Sequence, residues 1–263
     1  MKLAVLERMA HEGVREMQFL LGFLKESGLG FSKNIAEAHD WYRRSAERGF
    51  APAQYMLFYA NGPEKHQSGN DNEEQGKIAA DWLRKAAAGG FAPAQLSLSD
   101  DTSDPAEAYN LELAAAEQGY ARAAFALGYL YQEGRPNSAP DLQTAFVWYK
   151  KAAELGDADS ADAVGRMLRD GKGVAKDEAA ALQWFLKAFE MKSPSAASAL
   201  GQIYAFGMLD QPRDPAKVKF YDAKARELRK WWAESHGFPD KKQKTFFQKI
   251  LGFVRKASRT GSI

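Results

Sequence analysis

No cysteine occurs among the 263 residues. Disulfides, thiolate nucleophiles and thiolate metal sites are excluded together, although this leaves the compartment open. Histidine is nearly as scarce: His11, His39, His66 and His236 stand far apart, and no two have metal-ligand spacing. No run of ~18 apolar residues exists that could span a bilayer. The sequence holds no H-E-x-x-H, no G-x-S-x-G and no P-loop, so the common metalloprotease, hydrolase and nucleotide-binding signatures are missing. The segment Arg169 to Gly173 falls, by its spacing, in a turn rather than in a phosphate loop. Acid is absent from the end of the chain: residues 241–263 carry seven Lys and Arg and no Asp or Glu. The whole chain is at +2, which leaves residues 1–240 at −5. An acidic body with no reading element argues against nucleic acid as a partner. Glu7, Arg8, His11 and Glu12 come too early for the apolar stretch of a secretory leader, so the expectation is a cytoplasmic protein. A periplasmic one stands if a leader precedes the given start.

What the chain has in abundance is alanine, glycine and aromatic rings at a fixed spacing. Taking Trp148 as an anchor, the counterparts are Trp41, Trp82, Leu111, Trp184 and Phe220. Alanine stands three residues before the first five of these anchors. Eight residues after them come Gly49, Gly90, Gly119 and Gly156, a rule that Lys192 breaks. Eight residues past each closing position, counting also from Gly13, the register demands an apolar side chain and finds Leu21, Leu57, Leu98, Leu127, Val164 and Leu200. The next residue is often glycine (Gly22, Gly128, Gly165, Gly201), which costs a helix roughly 0.5–1 kcal/mol and therefore implies close approach of a neighbouring helix. Apolar residues at three- and four-residue spacing predict an amphipathic helix around each anchor. Asn34, Asp104, Asp141 and Asp177 stand where such a helix needs an N-cap, and Asp104-Pro105-Ala106-Glu107 reads as a capping box with proline at the first helical position. The expectation is two helices per repeat. A single pair cannot bury its apolar faces, whereas stacked pairs can. A buried anchor indole would remove ~150–250 Å² from water, an upper bound of about 4–6 kcal/mol each.

The run A-x-x-x-L-G-x-x-Y-x-x-G, a short turn, then D-x-x-x-A-x-x-W-Y-x-K-A-A-x-x-G resembles the Sel-one-like repeat, a relative of the tetratricopeptide repeat. The fourth repeat carries it as Ala123, Leu127, Gly128, Tyr131, Gly134, Asp141, Ala145, Trp148, Tyr149, Lys151, Ala152, Ala153 and Gly156. The first helices of repeats two and three are degenerate. The resemblance covers about residues 10–225. It implies an all-α fold: an α/α solenoid, a right-handed superhelix of about six helix-turn-helix units with capping helices at both ends. It also implies an adaptor or scaffold role and no shared chemistry. Some secreted members staple each pair with cysteines, and their absence here argues against that branch. The expected organisation is a capping half-repeat at 1–12 and repeats at 13–49, 50–90, 91–119, 120–156, 157–192 and 193–235. A basic amphipathic helix and tail follow at 236–263. The polar stretch 61–76 reads as a loop insertion, either a contact loop or one without a role.

In such a superhelix the first helix of each pair lines the concave side. Its sixth and tenth positions past the closing residue hold Phe19 with Phe23, Tyr55 with Tyr59, and Phe125 with Tyr129. Polar residues replace them later, as Asp162 with Arg166 and Ser198 with Gln202. Phe19, Phe23, Tyr55, Tyr59, Phe125, Tyr129 and Arg166 are the candidate partner-binding residues, since aromatics and arginine dominate interface hot spots. The alternative is that the aromatics only fill space between helices. Lys241, Lys242, Phe246, Phe247, Ile250 and Phe253 are candidate tail contacts. Three readings stand for that tail: a cap on the last repeat, a dock on a partner, or an adhesion to an anionic membrane surface. The expectation is a non-enzymatic protein without cofactor or metal that binds a protein or peptide. An immunity-type or regulatory protein neutralising one partner is the alternative, and a hydrolytic enzyme or membrane tether ranks below both. The oligomeric state is not legible in the sequence.

Overall fold

The N-cap residues account for where the helices begin. Asn34, Asp104, Asp141 and Asp177 each accept a hydrogen bond from a backbone N–H of the first turn, at 2.9–3.1 Å. Asp157, Ser193 and Asp214 do the same elsewhere. The capping box at Asp104 does not close: Thr102 Oγ1 donates to Glu107 at 2.5 Å, and the Asp104 N–H turns to the Thr102 hydroxyl instead.

The computed structural model describes residues 3–61, 71–134 and 138–236, and every regular element among them is an α-helix. In order these are α1 (Leu3–His11), α2 (Arg15–Ser27), α3 (Ile35–Glu47), α4 (Ala51–Asn61), α5 (Asp71–Ala88), α6 (Ala92–Asp101) and α7 (Pro105–Glu117). There follow α8 (Ala121–Glu133), α9 (Leu142–Glu154), α10 (Ala158–Asp170), α11 (Glu178–Glu190), α12 (Pro194–Phe206) and α13 (Pro215–His236). They form two compact units, one up to Leu155 and one from Gly156. Within the first, α2/α3, α4/α5, α6/α7 and α8/α9 are antiparallel pairs, and α1 lies against α2. Within the second, α10/α11 and α12/α13 pair in the same way. The stretch 61–76 is not a loop throughout: α5 already begins at Asp71, where acidic residues suit the helix N-terminus and Glu73 bridges Lys77 one turn on.

In the four pairs with a tryptophan anchor, the centre is not the indole. Trp41 is buried, but Trp82, Trp148 and Trp184 are only half-buried. Each ring carries the cation three residues later on its face: Arg44, Lys85, Lys151 and Lys187 stand 4.4–4.7 Å from the ring centroids. The deeper place belongs to the following residue, Tyr42, Leu83, Tyr149 or Phe185, which is almost wholly buried. An aromatic ring at this place explains three of the four register glycines, while Gly201 faces the Asp222 carboxylate, whose Oδ1 a Cβ would meet at 2.9 Å. A Cβ built on Gly22, Gly128 or Gly165 would stand 2.9, 2.6 or 3.0 Å from the ring of Tyr42, Tyr149 or Phe185 on the partner helix. The position covaries within the chain: opposite Leu83 the glycine's place is taken by Phe58, and opposite Glu112 by Ser99.

Successive pairs in the first unit meet at two recurrent joints. Buried Gln18, Gln54 and Gln95 donate through Nε2 to the carbonyls of Ala10, Ala46 and Ala87 at the end of the preceding second helix. Each of these carbonyls also accepts the N–H of the closing glycine, Gly13, Gly49 or Gly90, so the glutamine supplies a second donor. Phe19 packs on Phe50, and Tyr55 on Phe91, with ring centroids 5.3 and 5.2 Å apart. The apolar register sites Leu21, Leu57, Leu127, Val164 and Leu200 are buried, and Leu98 packs against the core around Leu83.

Candidate partner-binding face

The joints separate the sixth and tenth positions of the first helices. Phe19 and Tyr55 at the sixth lie between two pairs, whereas Phe23 and Tyr59 at the tenth stand a turn further along. Phe19 is accordingly fully buried against Tyr42 and Phe50 and cannot reach a partner, which corrects its assignment as a contact residue. Phe125 is half-buried with its ring 5.8 Å from that of Tyr149. Tyr55 is half-buried too, and its hydroxyl meets those of Tyr59 at 3.0 Å and Ser97 at 2.9 Å. Burial holds the Tyr55 phenol well above the usual tyrosine range, so it stays a neutral hydrogen-bonding group. Phe23 is half-buried. Tyr59 and Tyr129 are each 54% exposed at the same register position of α4 and α8.

In the second unit the equivalent positions are polar. Asp162 is buried and accepts from Arg166, whose own side chain is exposed. Burial raises the Asp162 pKa, opposed by Arg166. These two, with Ser198, Gln202, Arg169 and Arg229, line a cavity of about 380 Å³. Register had pointed to four of them and missed two. Arg169 was findable, because it lies two helical turns beyond Asp162 on one helix. Arg229 was not, because it arrives from α13, whose counterparts carry nothing similar. The Arg169–Gly173 segment is the end of α10 and the turn that follows it: α10 ends at Asp170, and Gly171 closes it with φ 68°. Among the described residues no three His, Asp or Glu side chains gather to hold a metal ion. His11 instead meets Trp41 edge-on, with centroids 5.0 Å apart. The tail candidates Lys241, Lys242, Phe246, Phe247, Ile250 and Phe253 lie outside the described residues.

The family model for the Sel1 repeat matches residues 15–50, 51–91, 121–157, 158–193 and 194–217. The chain belongs to the Sel1 repeat family. A Sel1 repeat protein from Oxalobacter formigenes is 29% identical and superposes with a TM-score of 0.68, over 80% of this chain and 84% of that one. The protective antigen c5321 of uropathogenic Escherichia coli, which displays the same repeat fold, is 28% identical with a TM-score of 0.72, over 99% of this chain and 57% of its own. Chitin synthase regulatory factor 3 of Schizosaccharomyces pombe is 38% identical over 48 residues, which are 18% of this chain and only 5% of that protein. The Sel1 repeat is a scaffold fold that typically mediates protein–protein interaction. Repeat two, degenerate to the eye, is matched, whereas α6 and α7 are not. Their departure is physical as well: Glu112 replaces the buried ring. Burial, and secondarily the charge of Asp100, pushes its pKa up to about 7, and Oε2 is buried without a hydrogen-bond partner. No helix among the described residues is long and apolar enough to cross a membrane.

Proposed function

We propose that this Sel1 repeat protein is an interaction scaffold that holds a partner protein or peptide against the exposed face of its first helices. The observation that carries this reading is the exposure of Tyr59 and Tyr129 at one register position on α4 and α8, each 54% open to solvent although Tyr59 also rests edge-on against Tyr55. Tyrosine offers a large rigid contact area and a polar tip, and is enriched at the energetic centre of interfaces. Phe23, Tyr55 and Phe125 stiffen that face from beneath. An immunity-type or regulatory role, in which one partner is held and neutralised, would use the same surface. The identity of the captured protein separates the two. The cations and rings of residues 241–263 supply a second contact in this reading, with a partner or an anionic membrane surface.

The test is affinity capture from the native host with wild-type chain and with Tyr59→Ala/Tyr129→Ala, both shown to be folded by circular dichroism. A protein recovered by the wild type and lost with the double variant supports the face. Equal recovery by both removes it.

A further inference from the structure

The cavity in the second unit has a composition that packing does not require. Three guanidinium groups surround it from two directions, Arg166 and Arg169 on α10 and Arg229 on α13. Arg169 is occupied, with both its forks on Asp170 at 2.6 and 3.1 Å. Arg229 reaches across to donate to Ser198 Oγ on α12 at 2.7 Å, a neutral partner that leaves its charge uncompensated. Arg166 faces Asp162, the only carboxylate lining the cavity. Asp162 is 1% exposed, and its Oδ1 has no hydrogen-bond partner. The cavity therefore presents surplus positive charge over a buried, half-satisfied acceptor.

We infer that this cavity takes a carboxylate of an acidic peptide segment, held between Arg166 and Arg229 with a donor of the same segment turned to Asp162. This rests on reading the chain as a protein-binding scaffold. Guanidinium forks match the geometry of carboxylates. A ligand that brings only acceptors, such as sulfate, would set its charge over Asp162 with nothing to offer it. A peptide carries carboxylates and backbone N–H donors together. The charge is complementary to an acidic partner, and the rim residues Gln202 and Ser198 can bond a peptide backbone.

The test uses the full chain and fluorescein-labelled (Glu-Gly)₅, followed by fluorescence anisotropy at constant ionic strength. One form of the peptide is amidated at its C-terminus and one is a free acid, so that side-chain and terminal carboxylates are told apart. (Gln-Gly)₅ is the neutral control and sulfate the competitor. The expected result is saturable binding of the acidic peptide, weakened about fivefold or more by Arg229→Gln and less by Arg229→Lys. Lys77→Ala, which removes an exposed cation of the first unit outside both sites, leaves the affinity as it was. Equal affinity for wild type and Arg229→Gln, equal binding of the neutral peptide, no binding up to about 1 mM, or full displacement by sulfate overturns the inference. Because Arg229 is exposed, its variants keep the fold. A scaffold face refuted by partner capture shows up in the tyrosine variant, whereas a refuted anion site shows up in Arg229.

Discussion

The ring of Tyr149 lies so close on Gly128 that a Cβ there would stand 2.6 Å from Tyr149 Cδ1. The glycine gives up helix propensity and receives ring packing. Gly128→Ala should therefore destabilise by about 1–3 kcal/mol, because overpacking exceeds the roughly 1 kcal/mol of propensity regained. Gly128→Ala/Tyr149→Leu should recover part of the loss, since the chain already pairs Phe58 with Leu83 at the same positions. Urea unfolding of the two single variants and the double variant checks the coupling. Additive losses would show that ring and glycine are not energetically joined.

Glu112 should make the first unit sensitive to pH. Its carboxyl holds a proton in the folded chain up to about pH 7 but loses it near the ordinary carboxylate range when unfolded. The folded state then binds more protons between those limits, so stability declines as pH rises through this window. With allowance for its partial exposure, the effect is on the order of 2 kcal/mol. Glu112→Gln should flatten the decline, read as urea midpoints between pH 5 and 8. A wild-type midpoint that does not move with pH would contradict the buried carboxyl.

Lys192 occupies the closing position where other repeats have glycine, and it keeps the left-handed backbone with φ 68°. A side chain there costs about 1–2 kcal/mol. Its ammonium stands 5.1 Å from the Trp231 ring centroid, which returns ~0.5–1 kcal/mol. The order of stability should be Lys192→Gly above wild type above Lys192→Ala, because alanine keeps the strain and loses the cation–π contact. Thermal melts of the three settle the order.

Gln54 should matter as a joint rather than as a surface residue. Gln54→Ala removes one donor to the Ala46 carbonyl, which keeps the N–H of Gly49, and should cost about 1 kcal/mol. Gln95→Ala should cost about as much, because it loses both a longer bond to Ala87, at 3.5 Å, and the one that Gln95 Oε1 accepts from Gln118 at 2.8 Å. Amide hydrogen exchange should show the loss concentrated where α3 meets α4.

The periodicity of alanine, glycine and aromatic residues determined by itself that the chain is an all-α array of helix pairs, where the caps fall and which first-helix positions are apolar. Each of these follows from spacing along one helix and from the local chemistry of its ends. Tertiary structure alone decided that the residue after the anchor, Tyr42, Leu83, Tyr149 or Phe185, lies deeper than the indole in the four pairs with a tryptophan anchor. It also decided that Phe19 is core while Tyr59 and Tyr129 face outward, and that Arg229 joins Arg166 and Arg169 around one cavity. Burial depends on what the neighbouring helix brings to the same place, and no spacing within a single helix carries that information.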